Sequence, residues 1–158
     1  MKLYHFTDAS NVDSIMKNGL LSWQELELRR IDHRPGSNRL SRDLDKRKGL
    51  EDYVRLSTWR NHPMAWVAKK DRIENLVWLA VDEAVLDHPD ALYSNTNATA
   101  NRARISRKLA TALLIGDRQA EVLVKNSIGP ELLTLVGAGF AEKPESWLRR
   151  FLLWLRHI

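Results

Sequence analysis

Lys2–Gly19 reads KLYHFTDASNVDSIMKNG, and its periodicity changes halfway along. Over Lys2–Thr7, the residues Leu3, His5 and Thr7 alternate with Tyr4 and Phe6, the period-two pattern of a short strand. From Asp8 onward Val12, Ile15 and Met16 fall at helical spacing, Ser10 is placed to cap the first turn, and Asn18-Gly19 supplies a stop. The chain therefore opens with a strand leading directly into a helix.

Working outward, the spacing predicts a second, shorter helix over Trp23–Ile31, broken by Arg34-Pro35-Gly36-Ser37-Asn38. Arg39–Gly49 is so charged that it reads as a basic loop or a loosely held helical turn, with Leu40, Leu44 and Leu50 as anchors. Tyr53–Trp59 alternates as a strand, Tyr53, Arg55 and Ser57 on one side and Val54, Leu56 and Thr58 on the other, until Pro63 ends or redirects it. Asn75–Val81 (NLVWLAV) has the length and continuous apolarity of a central strand. Asp87–Ala100 is rich in turn formers around Ala91-Leu92-Tyr93. A helix is expected over Arg102–Ile115, a strand at Gln119–Val124 (QAEVLV), a last strand near Leu132–Val136, and an amphipathic helix over Trp147–Ile158. Short strands alternating irregularly with short helices indicate one α+β domain over residues 1–158. A regular βαβ rhythm is absent, as are the G-x-G-x-x-G and Walker phosphate loops, which disfavours a doubly wound fold.

Composition narrows the chemistry. The 158 residues are 44% hydrophobic, which excludes a disordered tail, and no apolar run approaches the ~20 residues of a membrane span. Met1–Thr7 does not read as a signal or transit peptide, so a soluble, cytoplasmic protein is expected. With no cysteine there are neither disulfides nor thiolate metal sites, and the five histidines form no H-E-x-x-H or other ligand spacing. No metal is expected, and no G-x-S-x-G supports a serine nucleophile. The segment Arg29–Lys48 holds eight Lys/Arg and three Asp, an excess equal to the formal net charge of +5, so one segment carries the whole imbalance. Such a concentration suits a solvated loop or an anionic partner equally.

The polar residues left in strand contexts are His5 and Thr7 on one strand face, Tyr53 at the start of another, and Glu121 in the middle of QAEVLV. A mid-strand glutamate is explained by a face that opens onto solvent or a cleft.

LYHFTDASNVDSIMKNGLL at the start, DYV with Pro63-Met64 ten residues beyond Tyr53, Asn97-Ala98 and RQAEVLV occur in one order from about Leu3 to Gly139. In order and spacing they resemble the DarT family of DNA ADP-ribosyltransferase toxins. The resemblance implies a compact ADP-ribosyltransferase-like α+β domain, two small, mainly antiparallel sheets around an NAD cleft with short helices. It implies NAD as co-substrate, held by His5 and Thr7 with Asn11 supporting the turn beside them and Tyr53 lining the nicotinamide side. Glu121 takes the place of the catalytic glutamate. The family's catalytic arginine comes from the basic stretch before D-Y-V, here Arg42 or Arg47. Arg39, Arg55, Arg60, Asn97 and Arg102 are the expected nucleic-acid contacts. Where the family has an arginine just before its P-M pair, this chain has Asn61-His62, with Arg60 adjacent.

The activity so implied is transfer of ADP-ribose to a nucleobase, foremost thymidine in single-stranded DNA, by the toxin of a toxin–antitoxin pair whose antitoxin is a macrodomain. Modification of an RNA base, or NAD-dependent RNA 2′-phosphotransfer, are the alternatives within the fold. A non-catalytic nucleic-acid-binding module is the alternative of another class.

Overall fold

The computed structural model describes residues 1–108 and 117–140. Strand β1, Leu3–Asp8, runs through a 3₁₀ turn, Ala9–Asn11, into helix α1, Val12–Asn18. The cap differs from expectation. Asp8, not Ser10, accepts the N–H bond that starts the turn, because Ser10 lies inside it and donates both its N–H and its Oγ–H to Asp8 Oδ1. Gly19 ends α1 at φ 84°, and a Cβ there would meet the Ile128 carbonyl oxygen at 2.3 Å, so the close approach of two backbones requires glycine.

After β2, Leu20–Leu21, and α2, Trp23–Leu28, the basic segment is better ordered than its composition predicts. Arg39–Lys48 forms helix α3, ten residues long, where a basic loop or a loosely held helical turn was expected. Its ends explain it. Asn38 Oδ1 accepts from the Ser41 N–H at 2.8 Å, and Gly49 closes the C-terminus in the left-handed conformation at φ 63°. Lys46, Arg47 and Lys48 sit in the last turn, where the helix dipole favours positive charge. Leu40 is 63% exposed and anchors nothing; the buried residue of α3 is Asp45.

Strand β3, Tyr53–Ser57, keeps the predicted alternation. Pro63 opens helix α4, Pro63–Asp71, at a position where its missing N–H costs nothing. Strand β4, Leu76–Val81, β5, Leu92–Ser94, β6, Ile105–Ser106, β7, Glu121–Lys125, β8, Ser127–Ile128, and β9, Leu133–Ala138, complete the described elements. The helix expected from Arg102 does not form over Arg102–Ser106: Ile105 and Ser106 pair instead with Ser94 and Tyr93. The remainder of that stretch, 109–116, and the terminal helix expected over 147–158 lie outside the described residues.

Seven strands form one antiparallel sheet in the order β6-β5-β7-β3-β1-β4-β9, and β2 pairs with β8 in a small second one. The large sheet is weakly joined at its centre. β1 pairs with β4 over six residue pairs and β3 with β7 over five, but β1 meets β3 only at Tyr4 and Ser57. Two half-sheets thus part beyond that point, and a cleft opens between the diverging strands. The α+β class is as expected, with one split sheet and a two-stranded ribbon in place of two small sheets.

Leu3, Val54, Leu56, Leu79, Val122 and Val124 pack into a core on one side. Trp78, Ala65, Ala68, Ile73 and Leu76 form a second core under α4, with Tyr4 and Phe6 against it. Burying side chains of this size stabilises each by about 1.5–3 kcal/mol, so the two cores hold the strands on either side of the cleft. Among the described residues no helix is long and apolar enough to cross a membrane.

Candidate functional site

One large cleft is lined by His5, Thr7 and Asn11 from the first half-sheet and its turn, by Tyr53, Arg55 and Ser57 from β3, and by Glu121 from β7. The register, with Tyr4 opposite Ser57 and Ser57 opposite Glu121, sets Tyr53, Arg55, Ser57 and Glu121 on one face of the sheet and His5 and Thr7 on the other, and both sets reach the cleft where β1 and β3 part.

His5 Nδ1 lies 3.1 Å from the Arg55 carbonyl oxygen and donates to it. The side chain thereby satisfies a β3 carbonyl next to the point where the β1–β3 ladder stops. Burial holds the His5 pKa below its usual value, against the opposing pull of that hydrogen bond. The ring is therefore neutral at pH 7, and Nε2 is left as an acceptor. Thr7 Oγ1 accepts from Asn11 Nδ2 at 3.0 Å. Asn11 also donates to the Arg34 carbonyl at 2.8 Å and accepts the Arg34 N–H at 2.8 Å, tying β1 to the chain that enters α3.

Opposite, Glu121 is 6% exposed. Its Oε2 accepts from the Ala98 N–H at 2.8 Å and from Arg55 Nη1 at 3.2 Å. Arg55 Nη2 makes a very short contact with Asp45 Oδ1, so one guanidinium bridges helix α3 and strand β7. Burial first, and the negative charge of Glu121 next among the raising influences, push the Asp45 pKa up to about 6, although Arg55 opposes them. The Ala98 turn is held in its own right: Lys48 Nζ donates to the Ala98 and Ala100 carbonyls at 3.0 and 2.8 Å, and Asn97 Oδ1 accepts from the Thr99 N–H and hydroxyl at 3.0 and 2.6 Å.

The cleft gathers seven of the expected site residues: His5, Thr7, Asn11, Tyr53, Arg55, Asn97 and Glu121. Arg42 and Arg47 are placed elsewhere. The Arg42 guanidinium stacks 4.2 Å over the Trp23 ring and, with Arg39, lines a separate polar depression between α2 and α3, while Arg47 is exposed on α3. The arginine against Glu121 is Arg55, which alternation had placed on the face of Tyr53 and which was expected on nucleic acid. Arg60 is half-buried, and Arg102, 61% exposed, faces Asp117 at 3.6 Å. Sequence reasoning missed Asp45 and His62. Asp45 was one acid in a charged run, with no local signal to separate it; His62 was legible as the unusual residue before Pro63-Met64.

Among the described residues no group of three or more His, Asp or Glu could hold a metal ion. A fixed carboxylate lining one cleft with a neutral histidine and a threonine hydroxyl suits a hydroxyl-rich substrate that develops positive charge at carbon during reaction.

A sequence model of one family, DarT, ssDNA thymidine ADP-ribosyltransferase, matches residues 4–147. No curated protein matches in sequence. Among solved structures the chain is similar to Thermus sp. 2.9 DarT in complex with ADP-ribosylated ssDNA, with TM-score 0.69 and 15% identity over 99% of this chain and 87% of that one. The same Thermus protein in complex with NAD+ gives TM-score 0.61 and 16% identity, over 99% and 88%. Thermosipho africanus DarTG in complex with ADP-ribose gives TM-score 0.66 and 23% identity, over 84% of this chain and 42% of that one. The chain thus spans less than half the length of the Thermosipho protein. At these identities the likeness is one of fold.

Proposed function

The chain belongs to the DarT family of ssDNA thymidine ADP-ribosyltransferases, and from that premise we propose that residues 1–158 act as one catalytic domain that transfers ADP-ribose from NAD to thymidine in single-stranded DNA. The observation that carries this reading is Glu121, a carboxylate held by two donors on one oxygen across the cleft from His5 and Thr7.

In the reaction, the bond between the ribose C1′ and the nicotinamide nitrogen breaks, and its electron pair neutralises the pyridinium. C1′ becomes oxocarbenium-like and is captured by N3 of thymine, the ring nitrogen of thymidine that carries a proton. That proton leaves as the new C1′–N bond forms, with Glu121 as its acceptor. Before that, the same carboxylate stabilises the positive charge at C1′ through the ribose hydroxyls. His5 Nε2, an acceptor in the neutral ring, takes a hydrogen bond from a ribose hydroxyl, and the Thr7 hydroxyl proton, not used toward Asn11, completes the grip. Tyr53 lines the nicotinamide side.

Arg42 or Arg47 was the expected catalytic arginine. Arg42 is stacked on Trp23 and Arg47 is exposed, so Arg34 and Arg72, which line the cleft, are the better sources of positive charge toward NAD. Arg39, Arg42, Arg47, Arg60 and Arg102 then serve the phosphate backbone of the DNA. RNA 2′-phosphotransfer needs basic groups converging on one phosphate, and Arg55 is instead committed to two carboxylates.

The test is mass spectrometry of thymidine-containing single-stranded DNA, with RNA oligonucleotides in parallel, after incubation with NAD. The expected result is an ADP-ribosyl mass on the DNA with wild-type protein and none with Glu121→Gln, which still binds NAD. Folded wild-type protein that adds no such mass to any oligonucleotide overturns the reading. Its biological counterpart is a toxin whose effect a macrodomain antitoxin reverses, so co-expressing an ADP-ribosyl-thymidine hydrolase should restore growth.

A further inference from the structure

His62 is buried, 2% exposed, and lines the same cleft as Glu121. Its Nδ1 accepts the Met64 N–H at 3.2 Å, capping the start of α4. The ring proton is therefore on Nε2, which has the Gln119 carbonyl nearby but makes no hydrogen bond of normal geometry. A buried N–H without a well-formed hydrogen bond is costly, so its position calls for a use. Nε2 lies 3.9 Å from Glu121 Oε1, the oxygen that neither Ala98 nor Arg55 occupies. That separation is too long for a direct hydrogen bond, and one oxygen atom bonded to both groups spans it. Such an oxygen must accept from Nε2–H and donate to Oε1. A hydroxyl does both; a phosphate or carbonyl oxygen does not.

We propose that His62 is a further catalytic residue, whose Nε2–H donates to the ribose hydroxyl that in turn donates to Glu121 Oε1. The inference rests on the reading of Glu121 given above. By filling an acceptor site on that hydroxyl, His62 fixes the direction of its proton toward Glu121, the alignment needed as charge builds at C1′. The neutral ring is the working form. Burial holds the His62 pKa below its usual value, although Glu121, Asp117 and the Gln119 carbonyl favour the proton and Arg55 opposes it. Protonation would also break the Met64 cap and turn the ring into an ion-pair partner for Oε1.

The experiment compares wild type, His62→Leu, His62→Gln and Glu121→Gln for NAD affinity, for single-turnover rate on thymidine-containing single-stranded DNA, and for the pH dependence of that rate. His62→Leu should lower the rate by about 10- to 100-fold at saturating NAD. His62→Gln, which keeps an N–H donor, should recover most of it and lose the decline on acidification attributable to the imidazole. A His62→Leu rate within twofold of wild type, with Glu121→Gln inactive, overturns this inference and leaves the wider reading intact. Should His62→Leu fail to fold, the pH profile decides: an acid limb unchanged in His62→Gln overturns the proposal. An inactive wild type overturns the wider reading and this inference with it.

Discussion

Asp45 and Glu121 share one guanidinium, and that arrangement has a pH signature. The Asp45 carboxyl, raised from 3.8 to about 6 chiefly by burial, binds a proton more tightly in the folded chain than in the unfolded one. Its contribution to stability is fully present below pH 3.8 and is lost as pH rises through about 6. Relative to Asp45→Asn, wild type should therefore lose stability between about pH 4 and 6, as read by denaturant midpoints across that range. His5 has the opposite sign. Its pKa is lowered by burial, so the unfolded chain takes up the proton first and stability falls as pH drops below 6.5. His5→Gln should flatten that loss, and because His5 Nδ1–H also bridges to Arg55, it should weaken NAD binding as measured by calorimetry.

Helix α3 shows how a segment of this charge is held. Its caps, Asn38 and Gly49, its Asp45–Arg55 ion pair and the Lys48 bonds to the Ala98 turn replace the apolar stripe that an ordinary surface helix would bury. Asn38→Ala removes the bond to Ser41 and should cost about 1 kcal/mol by chemical denaturation. Lys48→Met acts on the site through the turn. The Ala98 amide, which bonds Glu121, should exchange faster with solvent, and the transfer rate should fall while NAD affinity holds. The α3–turn–β7 connection is thus a support for Glu121 as much as a basic surface.

In the molecule as a whole, the +5 excess is carried by a segment that wraps one side of the cleft from α2 through α3. Part of it also meets partners within the chain: Arg29 is paired with Glu25 at 2.7 Å, Arg34 lies 3.7 and 3.6 Å from Asp8 and Glu74, and Arg42 stacks on Trp23. Arg39, Lys46 and Arg47 on α3 are exposed to solvent. Replacing these three by alanine should weaken single-stranded DNA binding and reduce the slope of log K against log salt by about 0.7 for each phosphate they no longer neutralise. NAD affinity should stay the same, since none of the three lines the cleft.

Strands β1, β3, β4, β7 and β9 with their apolar positions, and the candidate residues His5, Thr7, Tyr53 and Glu121, could be read along the chain, because alternation and turn chemistry are local. The alternation of Tyr53–Ser57 even put Arg55 on the correct face. Three things were beyond local reading. Helix α3 depends on end caps and on partners 10 and about 50 residues away, so its charge alone pointed to a loop. Arg102–Ser106 has helical composition, but β5 offers it a strand edge and the pairing prevails. Arg55, Asp45 and His62 become neighbours of Glu121 only when β3, α3 and the start of α4 close around β7. Side-chain periodicity assigns a residue to a face, but ion pairing and burial depend on distances across the fold, and those arise when the split sheet brings its two halves together.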